Sequence, residues 1–358
     1  MKTKYLIYIN IYFIFCLEGL LYSQPVTKHG QLWVDGAKLK DKTGAVVVLK
    51  GMSLGWHNWW YRFYDPATVK WLVQDWGCSV IRIALGVEPD SGYIKQPKWS
   101  KEILESVVGA AIKENIYVII DWHSHNINLI EAKSFFTEMA KRYGEYPNVI
   151  YEIFNEPDDE SWNDIKAYST EIISTIRKID RDNVILVGTP NWAQNVDIAA
   201  DDPINGYKNI MYTLHFYAAS QTQWLRNKVN YAIEKGLPIF VSECSGSHAD
   251  GNGEFDFSQM KKWIDLLDKK QISWVMWSVS DKNETSSILK PGASSYGAWT
   301  EDDLSDSGKF ARSLLRNYSF GKYFYISFIV YLSLFILFCW WFVRHLIFKI
   351  KKRAINSN

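Results

Sequence analysis

Cysteine is scarce, with only 4 in 358 residues. Cys16 and Cys339 lie in apolar terminal segments, and Cys78 and Cys244 fall on different predicted strands or their edges. That spacing gives no CxxC metal or redox pair and no disulfide framework. Buried free thiols are the expected state of Cys78 and Cys244, with a disulfide between them as the alternative. No Gly-rich turn follows the first predicted strand, which argues against a dinucleotide-binding sheet. Basic charge is also missing from the body. The formal net charge is +1, yet Arg344, Lys349, Lys351, Lys352 and Arg353 crowd residues 344–358, so the remainder is mildly acidic. Nothing there resembles the footprint of a nucleic-acid partner.

Aromatic side chains are abundant instead, at 16% of residues with 17 tryptophans. Some must be core, but flat indole faces also hold sugar rings. Two apolar segments bracket the chain. Residues 1–23 have a short basic start, an apolar stretch and a small polar exit near Ser23, the pattern of a secretory signal peptide, with an uncleaved anchor as the second reading. Residues 323–343 are uncharged and long enough to span a bilayer as a helix. Lysine and arginine follow that span, so the expected arrangement is a transmembrane helix over 320–343, a basic cytoplasmic tail over 344–358 and an outward-facing body. The lipid bilayer is therefore an expected partner.

Between these ends, over 24–319, eight short apolar runs alternate with amphipathic stretches such as SKEILESVVGAAIKEN. The runs begin near Val46, Ser79, Ile116, Val149, Val184, Ile210, Pro238 and Ser273. Strands apolar on both faces belong to a covered parallel sheet. Eight such units predict an α/β fold, a (β/α)8 TIM barrel, with an open doubly wound sheet as the runner-up. A barrel puts chemistry at the C-terminal ends of its strands. The polar residues fall there: Asp121-Trp122-His123, Asn155-Glu156-Pro157, His215-Phe216-Tyr217, Glu243 and Trp277, with Arg82 on the second strand. Glu156 and Glu243, on strands four and seven, face one another across the mouth. Paired carboxylates so placed suit glycoside cleavage, in which one protonates the leaving oxygen and the other attacks or activates water. His123 and His125 form an HxH pair, but no third ligand with metal spacing accompanies it, so neither metal nor cofactor is expected.

These motifs carry a resemblance. DWH, then NEP after an apolar strand, then HFYA, VSEC and a closing WSVSDKNETSSILKPGAS resemble glycoside hydrolase family 5, in its bacterial-type endoglucanase subfamily, from about Gly30 to Asn317. The resemblance implies a retaining endo-β-1,4-glucanase acting on β-glucan, with Glu156 as acid/base and Glu243 as nucleophile. It implies that Arg82 and Tyr217 hold Glu243, that Asn155 binds the sugar 2-hydroxyl, and that His215 lies near Glu156. It places His123, Trp59, Trp192, Trp277, Lys282 and Glu284 on the sugar. Mannan, xyloglucan or mixed-linkage glucan remain alternative substrates, and a non-catalytic glucan receptor is the alternative outside enzymology. The loop GMSLGWHNWWYRFY departs from the family pattern, and one of Trp56, Trp59 and Trp60 is expected to pack under the rim.

Overall fold

The computed structural model describes residues 24–318 together with 340, 341, 343 and 344. The chain divides into two compact units, Met1–Leu315 and Arg316–Asn358. Among the described residues no helix is long and apolar enough to cross a membrane. The expected signal peptide lies outside the described residues, as do the span over 320–343 and the tail over 344–358, apart from Trp340, Trp341, Val343 and Arg344.

Eight parallel strands close into one barrel in sequence order. They are β1 (Lys50–Leu54), β2 (Val80–Gly86), β3 (Tyr117–His123), β4 (Val149–Glu152), β5 (Ile185–Val187), β6 (Ile210–Tyr217), β7 (Ile239–Ser245) and β8 (Trp274–Val279). Each overlaps a run predicted from sequence. The ring closes where β8 pairs β1, with Trp274 opposite Lys50 and Met276 opposite Met52. β2, β3, β4, β5, β7 and β8 are buried at every position. Their outer face lies under helices and their inner face fills the barrel, which is why the runs are continuously apolar rather than alternating.

The helices follow from local chemistry. Helix Trp162–Arg177 starts at Ser161, whose hydroxyl accepts the Asp164 N–H and so satisfies an end donor. Helix Phe257–Lys270 starts at Asp256, which accepts from Gln259 N–H, and ends in Lys269 and Lys270. Its buried Met260, Trp263, Ile264 and Leu267 recur at helical spacing and form one apolar face. The bottom of the barrel is sealed by a short helix, Pro25–His29, and an antiparallel hairpin of Trp33–Asp35 and Lys38–Lys40. Val26, Leu32 and Leu39 there join one core with Val80, Tyr117, Val184 and Phe240 from the strands. With that end plugged, the open end is the one where the strands finish. Cys78 and Cys244 are buried free thiols.

Two glycines should respond oppositely to a methyl group. A Cβ on Gly51 would sit 1.8 Å from the Val80 carbonyl oxygen, between β1 and β2, whereas one on Gly109 meets nothing within 4 Å. Gly51→Ala should cost about 3 kcal/mol or more, because backbone cannot yield. Gly109→Ala, inside helix Pro97–Lys113, should gain roughly 0.5–1 kcal/mol from helix propensity. Calorimetric melting of both variants checks the pair; equal melting points would refute it.

Candidate active site

Arg82 occupies the middle of β2, inside the barrel rather than at its mouth, and is fully buried. An unpaired guanidinium there would be prohibitive, so its partners are the key to the site. Its Nε donates to Glu152 Oε2 at 2.7 Å, and Nη1 donates to Glu243 Oε2 at 2.9 Å. Nη2 donates to Asn155 Oδ1 at 2.6 Å and lies 3.0 Å from Asp121 Oδ2. Four strands contribute to this knot: β2, β3, β7, and β4 with the residues just beyond it. Parallel register sets the levels, with Asp121 opposite Glu152 and His215 opposite Glu243.

Three carboxyls share one cation, so they cannot all be equally acidic. Burial raises Glu152, but Arg82 and His215 outweigh it and draw that carboxyl down to about 2. Burial pushes Asp121 well above its ordinary value, against the pull of Arg82. Glu243 is raised by burial and by Glu156, while His215, Arg82 and the Tyr217 hydroxyl oppose the rise. Tyr217 donates its O–H to Glu243 Oε1 at 2.6 Å. Both Glu243 oxygens therefore accept strong donors, an arrangement suited to the ionised form.

Glu156 leaves β4 through two backbone bonds that prolong its pairing with β3: Asn155 N–H to Trp122 O, and Glu156 N–H to Ser124 O, each 3.2 Å. Its Oε1 lies 2.8 Å from His215 Nδ1. The other side of that ring is set by a relay. Ser242 donates to Glu152 Oε1 at 2.7 Å, so His215 Nε2–H must donate to Ser242 Oγ at 2.9 Å. Nδ1 and Glu156 then share a proton. Desolvation alone would depress His215, but Glu152 and Glu156 outweigh it and push the imidazole up to about 9. Glu156, His215 and Glu243 each offer an atom within 4.8 Å of the others. That cluster could hold a cation in principle, but Arg82 and Tyr217 already occupy Glu243.

Two cavities meet at Glu156, Tyr217, Ala249 and Asp250. The first, about 520 Å³, carries Trp59, Trp277, Lys282 and Glu284 on its walls. The second, about 510 Å³, carries Asn191, Trp192, Gln194 and Gln221. The structure thus gathers Glu156, Glu243, Arg82, Asn155, His215 and Tyr217 in one network. It spreads the expected sugar contacts over both cavities. Trp277 lies parallel to His123 with ring centroids 5.4 Å apart, and is only 8% exposed. Lys282 is paired with Glu284, and Ser286 donates to the same carboxylate.

One expectation needs correction. Trp56, Trp59 and Trp60 all line the first cavity, so none is merely packed under the rim. The neighbouring His57 is the structural residue: Gly86 N–H donates to its Nδ1, and its Nε2 faces Ser100 Oγ at 2.8 Å. His123 and His125 part company, because β3 ends at His123. His123 Nδ1 turns back to Asp121 Oδ2 at 2.6 Å. His125, in the loop beyond, lies 3.9 Å from Glu156 Oε2 and stacks on Trp56. Sequence reasoning missed Glu152 and Asp250 and named Asp121, Trp56 and His125 without giving any of them a role in the site. An acid inside an otherwise apolar strand was an available signal for Asp121 and Glu152; none existed for Asp250.

The sequence matches the family model "Cellulase (glycosyl hydrolase family 5)" over residues 40–283. The chain belongs to glycosyl hydrolase family 5. An endoglucanase of Clostridium saccharobutylicum is 49% identical over 79% of this chain and 64% of its own length. Endoglucanase 5 of Pectobacterium carotovorum is 44% identical over 83% and 59%. The chain thus spans less than two thirds of the length of either relative. A solved structure from Cytophaga hutchinsonii is 45% identical, with a TM-score of 0.82 over 83% of this chain and 98% of that one. The catalytic domain of Thermobifida fusca endoglucanase Cel5A, in complex with cellotetraose, is 33% identical, with a TM-score of 0.78 over 82% and 100%. Membership in family 5 accords with the closed barrel and with two carboxylates at its mouth.

The raised histidine has a consequence for stability in this family 5 domain. A group whose folded pKa of about 9 exceeds its ordinary 6.5 stabilises the fold fully below about pH 6.5. That contribution is lost as pH rises through about 9, and its size is about 3 kcal/mol. Denaturant midpoints should fall across this window in the wild type and stay flatter in His215→Asn; parallel slopes would remove His215 as the cause.

Proposed function

We propose that the chain is a retaining endo-β-1,4-glucanase. The observation that carries this reading is the carboxyl pair: oxygens of Glu156 and Glu243 within 4.8 Å, with cationic and hydroxyl donors on one and a shared imidazole proton on the other. Retaining hydrolysis uses carboxyl groups about 5–5.5 Å apart, close enough for direct attack, whereas inverting enzymes leave room for a water. Glu243, aimed by Arg82 and Tyr217, attacks the anomeric carbon. Glu156 passes its proton to the departing glycosidic oxygen, and the oxocarbenium-like transition state collapses to a glycosyl ester on Glu243. Glu156 then takes a proton from water, which attacks the same carbon and releases Glu243.

Other residues supply orientation. Asn155 has its Oδ1 held by Arg82, while its buried Nδ2 has no hydrogen-bond partner among the described residues. A donor so placed suits the 2-hydroxyl of the sugar under attack. His123, Trp59, Trp277, Lys282 and Glu284 bind the non-reducing side in the first cavity, and Trp192 binds the leaving-group side in the second. β-1,4-Glucan is the substrate favoured by the endoglucanase relatives. The catalytic domain is assigned to 24–319. Residues 1–23 act as a signal peptide, 320–343 as a membrane anchor and 344–358 as a cytoplasmic tail, a placement that rests on charge and hydropathy alone.

Wild-type enzyme should hydrolyse carboxymethylcellulose and leave galactomannan largely intact; cleavage of galactomannan alone would replace the substrate assigned here. Glu243→Gly should be inactive in water and regain turnover with azide, yielding a glycosyl azide of inverted anomeric configuration. Glu156→Ala should lose about 10²–10⁴-fold on polymer and much less on an aryl cellobioside, whose leaving group needs little protonation. A uniform loss on both substrates would strip Glu156 of the acid role.

A further inference from the structure

Trp224 is not needed by the barrel. It lies in the first turn of helix Gln223–Glu234, is 45% exposed, and equals Trp192 in exposure. Because that helix follows β6, its start sits at the same barrel end as the catalytic pair. Gln221, three residues earlier, lines the cavity that holds Trp192. The helix is tied to that wall through Lys228. Its Nζ donates to Asn195 Oδ1 at 2.6 Å and lies 3.3 Å from Asp197. Asn195 directly follows Gln194, a wall residue of the same cavity. The Lys228 ammonium also lies 5.9 Å from the Trp224 ring centroid, and so ties the indole to this anchor.

We propose that the leaving-group side of the cleft continues over the barrel rim onto this helix, where Trp224 stacks a sugar ring of the β-glucan chain beyond Trp192. The inference rests on the glucanase reading and extends it to a distal subsite. Residues at i, i+4 and i+7 share one helix face. Trp224, Lys228 and Tyr231 have that spacing, and Tyr231 is 39% exposed with its hydroxyl donated to Asp201 Oδ1 at 2.6 Å. Helical rise separates the two rings by roughly 10 Å along the axis, about the span of a disaccharide. Lys228 and Asp197 offset one another, which leaves a neutral aromatic face of the kind a neutral polysaccharide requires. The face also borders the cavity at Gln221 and, through Asn195, at Gln194, which singles out the outgoing chain as its occupant.

The test is Trp224→Ala in the full chain, assayed on carboxymethylcellulose and on an aryl β-cellobioside that ends just past the cleavage point. KM on the polymer should rise roughly threefold to tenfold with kcat retained, as loss of one aromatic stacking contact implies. KM on the aryl cellobioside should not change. Trp224→Phe, which keeps a flat ring and guards against a folding artefact, should recover most of the polymer affinity. Equal polymer kinetics in wild type and Trp224→Ala overturn the subsite, and so does an equal rise on both substrates. Failure of the wild type to cut the polymer at all overturns instead the glucanase reading on which the subsite rests.

Discussion

The buried guanidinium of Arg82 is the interaction on which the remaining active-site geometry depends. It stands where a barrel interior would otherwise hold a branched apolar side chain, and its charge must be met on every side. Glu152 is its closest ionised partner, Asp121 lies on its flank, and Asn155 and Glu243 fill the remaining directions toward the mouth. Removing the cation would leave carboxyls buried without compensation, a loss of about 3–5 kcal/mol. The same contacts that keep Arg82 in the core therefore set the height and direction of Glu243.

From that anchor a second chain of contacts reaches the other carboxylate. Glu152 accepts from Ser242, Ser242 accepts from His215, and His215 shares a proton with Glu156. One buried acid, held near full ionisation, thus orients an imidazole two bonds away and fixes which nitrogen faces the reacting group. Glu156 and Glu243 have similar chemistry but opposite surroundings: one leans on a proton-bearing ring, the other on a permanent cation and a phenol. On the glucanase reading, the division of labour between the two glutamates follows from this asymmetry of partners.

The cleft walls obey a different logic. They come largely from loops after β1, β3, β5, β6, β7 and β8, which carry little of the barrel's packing and can vary without endangering it. Aromatic faces stand on both sides of the carboxyl pair, with Trp56, Trp59 and Trp60 in one cavity and Trp192, among amide side chains, in the other. On the glucanase reading, chain length and sugar identity would be read there, away from the charged knot around Arg82.

Much of this was legible in the chain itself. Short apolar runs that alternate regularly with amphipathic stretches suit strands buried on both faces of a parallel sheet, so the eight barrel strands were legible from the chain. Acids and histidines at the ends of those runs identified the mouth, and Glu156 and Glu243 stood out because one motif surrounds each. Tertiary structure decided the rest. Asp121 and Glu152 read as strand residues until parallel register set them level beside Arg82. His125 shared a spacing with His123 but left the strand and turned to Glu156, because alternation ends where pairing ends. Trp56 and Trp60 could not be told from rim packing, since a tryptophan in a loop carries no periodicity. Sequence therefore determined the barrel, and singled out the candidate carboxyl pair, through local pattern. Distances, proton placement and the faces that meet a sugar arose from contacts between distant segments, such as Arg82 with Glu243, which only the closed barrel creates.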